Sequence, residues 1–307
     1  MNPGDLSWDA LKALGPEVVI YDRTAPGDVV ERSRGATMLL TNKVKLPGEF
    51  LKQLPGLKYI GVLATGYDVI DIPAARELGI VVSNVPAYST ASVVQVIFAF
   101  ILEWTHRVAH HAQRVREGAW ASSADFTFWD FPLLELQDKT LGIIGFGKIG
   151  QSVGRVGAAF GMKVLTASKT PKDVDFPVEY TSREEVIARA DFLSLLCPLT
   201  PETRGLMNYE LIKTMKPSAY LINTGRGPLV VDADVVRALE EGLIAGFGAD
   251  VLAQEPPPSD NPLLSAPRTL ITPHYAWASV EARGRLLETT LANLTAFLGG
   301  APQNMVS

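Results

Sequence analysis

The sequence predicts an α/β protein made of two doubly wound parallel-sheet domains, and two observations support this fold class. Short apolar runs such as Phe192–Leu196 and Ala219–Asn223 alternate with helical patterns along most of the 307 residues. Strands buried on both faces of a parallel sheet are apolar without alternation, and a repeating β and α order favours an open α/β sheet. In mid-chain, the run Thr140–Gly145 leads into the glycine-rich segment GFGKIG (145–150) and then into a helical stretch.

The predicted elements fall into two groups along the chain. Strands in the first group are expected at Glu17–Asp22, Thr37–Thr41, Leu57–Ala64 and Gly79–Asn84. Strands in the second group are expected at Thr140–Gly145, Lys163–Ala167, Phe192–Leu196, Ala219–Asn223, Ile244–Asp250 and Thr269–Ile271. Helices are expected at Gly48–Leu54, Ile72–Leu78, Gln151–Phe160, Arg183–Ala190, Asn208–Met215 and Ala233–Glu241, with longer helical stretches at Ser89–Trp120 and Ser279–Gly299. Because the glycine segment lies in mid-chain, the first hundred residues must form a separate small domain, to which the last helix could return.

Composition excludes several classes of protein. A net charge of −5 argues against a nucleic-acid-binding surface. The N-terminus lacks the basic and apolar regions of a signal peptide. The longest apolar run, Val93–Leu102, is shorter than the roughly 20 residues that span a bilayer. Cys197 is the only cysteine, so no internal disulfide can form. We therefore expect a cytoplasmic protein that binds neither a membrane nor nucleic acid.

The segment from Gly145 to Gly150 predicts dinucleotide binding, because a strand precedes it and a helix follows it. In this arrangement Gly145 permits the tight turn, Gly147 lets the backbone approach a pyrophosphate, and Gly150 lets the helix pack closely on the strand. The pyrophosphate would lie at the helix N-terminus, which begins with Lys148 and Ile149, where free N–H groups attract an anion.

The residues that would meet the adenosine ribose leave the choice between NADP and NAD open. An acidic residue about 20 positions beyond the glycine loop normally binds the ribose hydroxyls and selects NAD. Ser168 stands at that place and Lys169 follows it, where a lysine could pair with a 2′-phosphate. We expect a slight preference for NADP. The alternative is that Lys169 is a solvated loop residue and that Asp173 or Asp175 supplies the acid.

Three polar residues follow predicted strands, where ligands bind in open α/β sheets. Arg226 follows Ala219–Asn223 and could hold a carboxylate through two parallel charged hydrogen bonds. His274 follows the last strand and could donate a proton, and Glu255 could favour its charged form. The other three histidines, at 106, 110 and 111, share one helical stretch that lacks cysteine or carboxylate-rich surroundings. We interpret them as a solvated helix face and expect no metal site.

Five segments carry a family resemblance. They are GFGKIG (145–150), CPLTPETRGLMN (197–208), INTGRGPLVV (222–231), GADVLAQEPP (248–257) and TPHYAWAS (272–279). With these segments in this order, the chain resembles the D-isomer-specific 2-hydroxyacid dehydrogenase family over essentially its whole length. The resemblance implies that Arg226 binds the substrate carboxylate and carbonyl, that His274 is the general acid/base and that Glu255 is its partner. It also implies cofactor contacts from Cys197, Pro198, Thr203, Thr224 and Asp250, the last beside the nicotinamide carboxamide.

The resemblance also implies a domain organisation. A Rossmann dinucleotide-binding domain, residues 98–282, would be inserted into a smaller flavodoxin-like substrate domain formed by residues 1–97 and the C-terminal helix, residues 283–307. A homodimer would be built on the mid-chain helical arm.

Several segments look closest to the glycerate dehydrogenase, or hydroxypyruvate reductase, branch of this family. They are ATGYDVID (64–71), NVPAYSTASVVQ (84–95), WDFPLLEL (129–136) and HYAWAS (274–279). The branch implies reduction of hydroxypyruvate to D-glycerate, with the substrate carboxylate on backbone N–H groups of Ala64, Thr65 and Gly66. Trp277 could form a wall of the substrate pocket. Glyoxylate or another 2-keto acid remains an alternative substrate, and a dinucleotide-sensing regulatory protein is the alternative from another class.

Overall fold

A computed structural model describes residues 4–15, 17–168 and 170–307. The contacts within the chain divide it into two compact units, one formed by Met1–Ser89 with Ala278–Ser307 and the other by Thr90–Trp277. Each unit contains a parallel sheet of its own. The assignment of cofactor and substrate roles to domains ending at 97/98 and 282/283 stays a prediction.

The first unit is built on a three-stranded parallel sheet with the order β1-β2-β3. The strands are β1 (Met38–Thr41), β2 (Tyr59–Val62) and β3 (Val81–Ser83). The helices are α1 (Asp9–Lys12), α2 (Val29–Ser33), α3 (Gly48–Leu51), α4 (Ile72–Glu77) and the C-terminal helix, Val280–Leu298. Leu294 of the C-terminal helix packs with the buried Tyr59 of β2. The last helix therefore packs in the first unit, although nearly 200 residues separate it from β3.

The predicted strand at Glu17–Asp22 is wrong, because residues 17–22 form no strand in the structure. The apolar run was read as a buried strand, yet Val19 is 68% exposed and Tyr21 is 48% exposed. An apolar run becomes a strand only where a neighbouring strand pairs with it and its side chains are buried, and both conditions depend on tertiary structure.

The second unit begins with two helices and continues as a regular α/β domain. Its helices are α5 (Thr90–His106), α6 (Val108–Arg116), α7 (Lys148–Ala159), α8 (Arg183–Arg189), α9 (Tyr209–Ile212) and α10 (Asp232–Glu240). Its strands are β4 (Thr140–Ile144), β5 (Lys163–Thr166), β6 (Glu179–Tyr180), β7 (Phe192–Leu195), β8 (Tyr220–Asn223), β9 (Gly246–Ala249) and β10 (Thr269–Ile271). All seven strands run parallel in the order β10-β9-β8-β7-β4-β5-β6.

Helices cover both faces of the seven-stranded sheet. One apolar core joins α5 and α7 to the sheet through residues such as Ile97, Ile101 and Val153. A second core joins α8, α9 and α10 to it through residues such as Ile187 and Leu239. Because both faces are buried, β7 and β9 have no exposed position. This arrangement confirms the predicted α/β fold with a doubly wound parallel sheet.

The long helical stretch predicted at Ser89–Trp120 is two helices. Arg107, which lies between α5 and α6, adopts a left-handed conformation with φ 46°. Among the described residues no single helix is long and apolar enough to cross a membrane, although α5 and α6, bent by 53°, pass the same test of length and composition as a pair.

The sheet reverses its winding between β4 and β7. From β4 the chain adds β5 and β6 on one side, and from β7 it adds β8, β9 and β10 on the other. After β4 and β7 the chain therefore continues to opposite sides of the sheet. In doubly wound sheets this point is where ligands bind.

Close packing against neighbouring side chains explains two glycines of α7. A Cβ atom on Gly157 would lie 2.5 Å from Leu141 Cδ2 of β4, and one on Gly154 would lie 2.8 Å from the ring of Phe176. Distances this short require a neighbour to move. Because a larger residue would displace these neighbours, glycine is favoured at both positions, although it lowers helix stability by about 1 kcal/mol relative to alanine.

We predict that Gly157→Ala lowers the free energy of unfolding by about 1 kcal/mol, because overpacking against Leu141 costs about 1–3 kcal/mol and exceeds the gain in helix propensity. The matched control is Gly284→Ala in the C-terminal helix, where nothing lies within 4 Å of the new Cβ. This control should gain about 0.5–1 kcal/mol. Urea unfolding measures both, and stabilisation of the Gly157 variant would contradict the packing explanation.

Candidate active site

The glycine loop after β4 touches the loop after β7 through backbone atoms. Gly145 has φ 105°, and a Cβ on it would lie 2.4 Å from the backbone nitrogen of Cys197. A Cβ on Gly150 would lie 2.2 Å from the carbonyl oxygen of Gly145. Neither position can hold a larger residue without a shift of the backbone. These two glycines thus hold the loop compact against the start of α7.

Gly147 differs from its two neighbours, because nothing lies within 4 Å of a Cβ placed on it. Its φ of −77° is accessible to any residue, so neither backbone strain nor packing explains this glycine. The open space lies at the N-terminus of α7, whose first residue, Lys148, is exposed, while Ile149 packs partly against the core. A dinucleotide pyrophosphate approaching these N–H groups would fill this space.

A buried hydroxyl is a second feature that fits a dinucleotide at this place. Thr224, the residue that follows β8, has a side-chain oxygen that is buried and has no hydrogen-bond partner among the described residues. A buried polar atom without a partner is costly. The open space at Gly147 and this hydroxyl are consistent with a bound dinucleotide.

The residues at the predicted ribose position are only partly described. Ser168 lies two positions beyond β5 and donates to the Thr170 carbonyl at 2.9 Å. Lys169 lies outside the described residues. Of the two aspartates considered as substitutes, Asp175 accepts from Arg155 at 2.7 Å, and this hydrogen bond holds the pKa of the Asp175 carboxyl below its usual value. Asp173 is exposed.

The loop after β7 contains three of the predicted cofactor residues. Thr203 donates to the Pro198 carbonyl at 2.7 Å and accepts from the Thr200 N–H at 2.7 Å, which fixes the loop. Cys197 is half-buried, and burial raises the pKa of its thiol. A raised pKa disfavours the thiolate, so the structure supports a packing residue rather than a nucleophile.

The loop after β8 presents Arg226. Asn223, which is fully buried, donates to the Arg226 carbonyl at 2.9 Å and accepts from the Gly225 N–H at 3.2 Å. Arg226 itself is half-buried and donates to the Gly225 carbonyl at 2.9 Å. A Cβ on Gly227 would lie 1.9 Å from the carbonyl carbon of Leu252, so the loops after β8 and β9 are in backbone contact. Arg226 is thereby fixed close to the segment that carries Glu255.

Glu255 and His274 form a direct pair. His274 Nδ1 lies 2.6 Å from Glu255 Oε2, while Glu255 Oε1 accepts from the Leu252 N–H at 3.1 Å. The two side chains are 35% and 27% exposed, so a small molecule can reach them. Because Glu255 occupies Nδ1, Nε2 is the ring nitrogen left to exchange a proton with a ligand. The pair can therefore exchange a proton with a bound ligand through Nε2.

Asp250 anchors the turn that carries His274. Its two carboxylate oxygens, buried at 2% exposure, accept from the Thr272 hydroxyl at 2.7 Å, the Tyr275 N–H at 3.0 Å and the Ala276 N–H at 2.9 Å. Burial raises the pKa of the Asp250 carboxyl, and these donors offset part of that rise. Asp250 thus connects β9 to the turn after β10, and its predicted place beside the nicotinamide carboxamide stays a prediction.

Trp277 closes the same turn. Its indole Nε1 donates to the His274 carbonyl at 2.8 Å, and the side chain is half-buried.

The predicted substrate loop belongs to the first unit. Ala64, Thr65 and Gly66 follow β2 at its carboxyl end. The Asn84 amide donates to the Thr65 carbonyl at 2.7 Å, and the Thr65 hydroxyl donates to the Val85 carbonyl at 2.9 Å. The loop is thus attached to the residues that follow β3.

The remaining histidines lie away from the His274 turn in sequence, on α5 and α6. His110 pairs with Asp130 at 2.7 Å, and His111 Nδ1 lies 3.0 Å from the Arg107 carbonyl. In the described part of the chain, no group of three or more His, Cys, Asp or Glu residues could hold a metal ion.

Sequence reasoning missed the residues that hold the site in place. Asn223 donates to the Arg226 carbonyl, Gly227 lies against the Leu252 backbone, and the Thr272 hydroxyl donates to Asp250. Their position gave a usable signal, because each lies within four residues of the end of β8 or β10. The sequence did not reveal which atom each of them contacts.

We predict that Gly147→Ala keeps the thermal stability of the protein but weakens dinucleotide binding about tenfold or more, because the methyl group fills only the open space and costs about 1–3 kcal/mol when a ligand enters it. Gly150→Ala should lose stability as well, since its methyl group meets the Gly145 carbonyl. Thermal unfolding and titration with a nicotinamide dinucleotide measure the two effects. Unchanged affinity in the Gly147 variant would exclude this space as the pyrophosphate site.

Comparison with known proteins agrees with this geometry. The model of the D-isomer specific 2-hydroxyacid dehydrogenase, NAD binding domain, matches residues 98–276. A hydroxypyruvate reductase of Blautia hydrogenotrophica is 46% identical over 100% of this chain and 97% of its own length. A glycerate dehydrogenase of Methylorubrum extorquens is 41% identical over 93% of this chain and 90% of its own. A glyoxylate reductase of Aeropyrum pernix is 35% identical over 97% and 92%.

A solved structure agrees as well. An acyclic imino acid reductase in complex with NADPH and D-Arg has a TM-score of 0.87 and 28% identity, covering 99% of this chain and 97% of that chain. The family model covers more than half of the 307 residues, and the curated relatives span nearly the full length at more than 30% identity. The chain therefore belongs to the D-isomer-specific 2-hydroxyacid dehydrogenase family and is an oxidoreductase that uses a nicotinamide dinucleotide.

Proposed function

We propose that this protein reduces hydroxypyruvate to D-glycerate. The observation that carries the proposal is the pair of His274 and Glu255, which is partly exposed at the carboxyl end of the sheet beside the loop of Arg226. The two relatives with the highest identities among those compared are named hydroxypyruvate reductase and glycerate dehydrogenase, two names that fit one reversible reaction.

Each of the three polar residues has a distinct role in the proposal. The Arg226 guanidinium binds the substrate carboxylate through two parallel charged hydrogen bonds and polarises the keto group. His274 donates a proton from Nε2 to the keto oxygen as that oxygen gains negative charge. Glu255 fixes the orientation of the imidazole through Nδ1. The N–H groups of Ala64–Gly66 are proposed to bind the same carboxylate, as the family resemblance implies.

The dinucleotide would be held by the open space at Gly147, the N–H groups of Lys148 and Ile149, and the hydroxyl of Thr224. When bound in reduced form, it supplies the hydride for the keto carbon. The contacts proposed for Cys197, Pro198, Thr203 and Asp250 rest on the family resemblance.

We expect NADPH to be preferred slightly over NADH, because Ser168 replaces the acidic residue that would repel a 2′-phosphate. The related structure in complex with NADPH shows that this fold can hold the phosphorylated cofactor.

Glyoxylate is the second candidate substrate, since one of the relatives is named glyoxylate reductase. The hydroxymethyl group distinguishes the two keto acids, so comparing kcat/KM for hydroxypyruvate and glyoxylate decides between them. The regulatory alternative has no support, because the relatives compared above are named as enzymes.

A cytoplasmic location stays a prediction. We propose that the protein is a homodimer whose interface includes the mid-chain helices α5 and α6 and the residues that follow them. Between the start of α6 and β4 the chain exposes large apolar side chains, with Val108 67%, Phe126 89% and Trp129 62% exposed. An interface between two copies of the chain would cover them. Sedimentation velocity should give twice the chain mass of 33.2 kDa, and a mass of one chain would exclude the dimer.

We predict that His274→Ala lowers kcat for hydroxypyruvate about 100- to 10,000-fold, the usual contribution of general acid catalysis. The dissociation constant of the reduced cofactor should stay within about twofold, because the His274 ring is not among the proposed cofactor contacts. Initial rates and cofactor fluorescence titration measure these quantities. Nearly full activity in this variant would remove His274 from the role of proton donor.

Ser168→Asp should shift the cofactor preference toward NADH by about 10- to 100-fold in the ratio of kcat/KM values, since a charged hydrogen bond to the ribose is worth about 1.5–3 kcal/mol. The measurement is initial rates of hydroxypyruvate reduction with NADPH and NADH, for wild type and variant. A wild type that strongly prefers NADH would overturn the interpretation of Ser168.

A further inference from the structure

The backbone of His274 is in a conformation that it does not adopt readily by itself. Its φ is 51°, in the left-handed region that non-glycine residues rarely occupy. The His274 N–H folds back onto the Thr272 carbonyl at 2.9 Å, so the turn is tight. A residue in such a conformation persists only where surrounding contacts determine it.

Contacts on both sides hold this turn. Asp250 fixes the residues before and after His274 by accepting from Thr272, Tyr275 and Ala276. The peptide group between His274 and Tyr275 is held on both sides, because its N–H donates to Asp250 and its carbonyl accepts from the Trp277 indole N–H at 2.8 Å. Without the indole contact only Asp250 would hold this peptide group, so ψ of His274 and the position of its ring beside Glu255 would be less restricted.

We propose that Trp277 is a positioning residue for His274 rather than a wall of the substrate pocket. Its indole N–H holds the His274 carbonyl, and this contact keeps Nδ1 at hydrogen-bond distance from Glu255 with Nε2 directed to the reactants. The proposal rests on the proposed function, because it assumes that His274 transfers the proton. In this role Trp277 acts on the reaction only through His274.

The test begins with Trp277→Phe, which removes the N–H donor and keeps an aromatic ring. We expect kcat for hydroxypyruvate to fall about 3- to 10-fold, the effect of one hydrogen bond, with KM and cofactor affinity within about twofold. The matched control is Tyr209→Phe, which removes one donor from another aromatic side chain of the same unit, the hydroxyl that donates to Glu241 at 2.6 Å. The control should keep full activity.

A double-mutant cycle then separates positioning from a substrate wall. Adding Trp277→Phe to His274→Ala should change the residual kcat by less than about twofold, because no imidazole remains to be positioned. An equal loss in both backgrounds, or a rise in KM as the main effect, would overturn the proposal and favour a wall. No loss of kcat in the single variant would also overturn it.

The exchange of a ring proton of His274 with water tests the positioning role without requiring turnover. The His274 ring Nδ1 proton, assigned in proton NMR by its absence in His274→Ala, should exchange with water at least about 3-fold faster in Trp277→Phe than in wild type. Exchange should stay unchanged in Tyr209→Phe. An unchanged rate in Trp277→Phe would refute the positioning role. If wild type reduces no keto acid with either cofactor, the proposed function fails, and the exchange result alone decides the role of Trp277.

Discussion

The site depends on backbone contact between loops that leave neighbouring strands. Gly145 meets the backbone of Cys197, and Gly227 meets the backbone of Leu252, at distances that leave no room for a Cβ atom. In a parallel sheet, adjacent strands bring their carboxyl ends to one edge, so the loops that follow them start side by side. Because these two glycines have no side chain, the loops come into backbone contact. The loops after β4 and β7, and those after β8 and β9, therefore lie against each other as rigid pairs.

Two carboxylates at this edge have opposite environments. Asp250 is almost fully buried, and its carboxylate accepts three hydrogen bonds from the turn after β10, which it stabilises. Glu255 is about one-third exposed and pairs with His274, so its charge is directed to a group that a ligand can reach. The first residue shapes the turn, and the second fixes the orientation of the imidazole. Burial thus distinguishes the two carboxylates. The buried one stabilises a turn, and the partly exposed one pairs with a side chain that a ligand can reach.

Much of the fold and of the site could be predicted from sequence, because both depend on local patterns. The strand before GFGKIG and the helix after it are local features, and so is the placement of Arg226 and His274 directly after strands. The strand expected at Glu17–Asp22 was wrong, since whether an apolar run pairs with a sheet depends on distant residues. The hydrogen bonds that Asn223 makes within the Arg226 loop could not be predicted for the same reason. The hydrogen bond from the Trp277 indole to the His274 carbonyl could not be predicted either. Both depend on which carbonyl oxygen lies opposite a side chain, and only the folded backbone determines that.

The order of the strands has a consequence for how such a protein can diversify. Ser168 follows β5 on one side of the winding reversal, whereas Arg226, Glu255 and His274 follow β8, β9 and β10 on the other. Strands β4 and β7 lie between the two groups, and both are buried in the apolar cores. Substitutions on the β5 side can therefore accumulate without disturbing the pair of His274 and Glu255. With the roles proposed for these residues, cofactor preference and substrate chemistry could change independently during evolution.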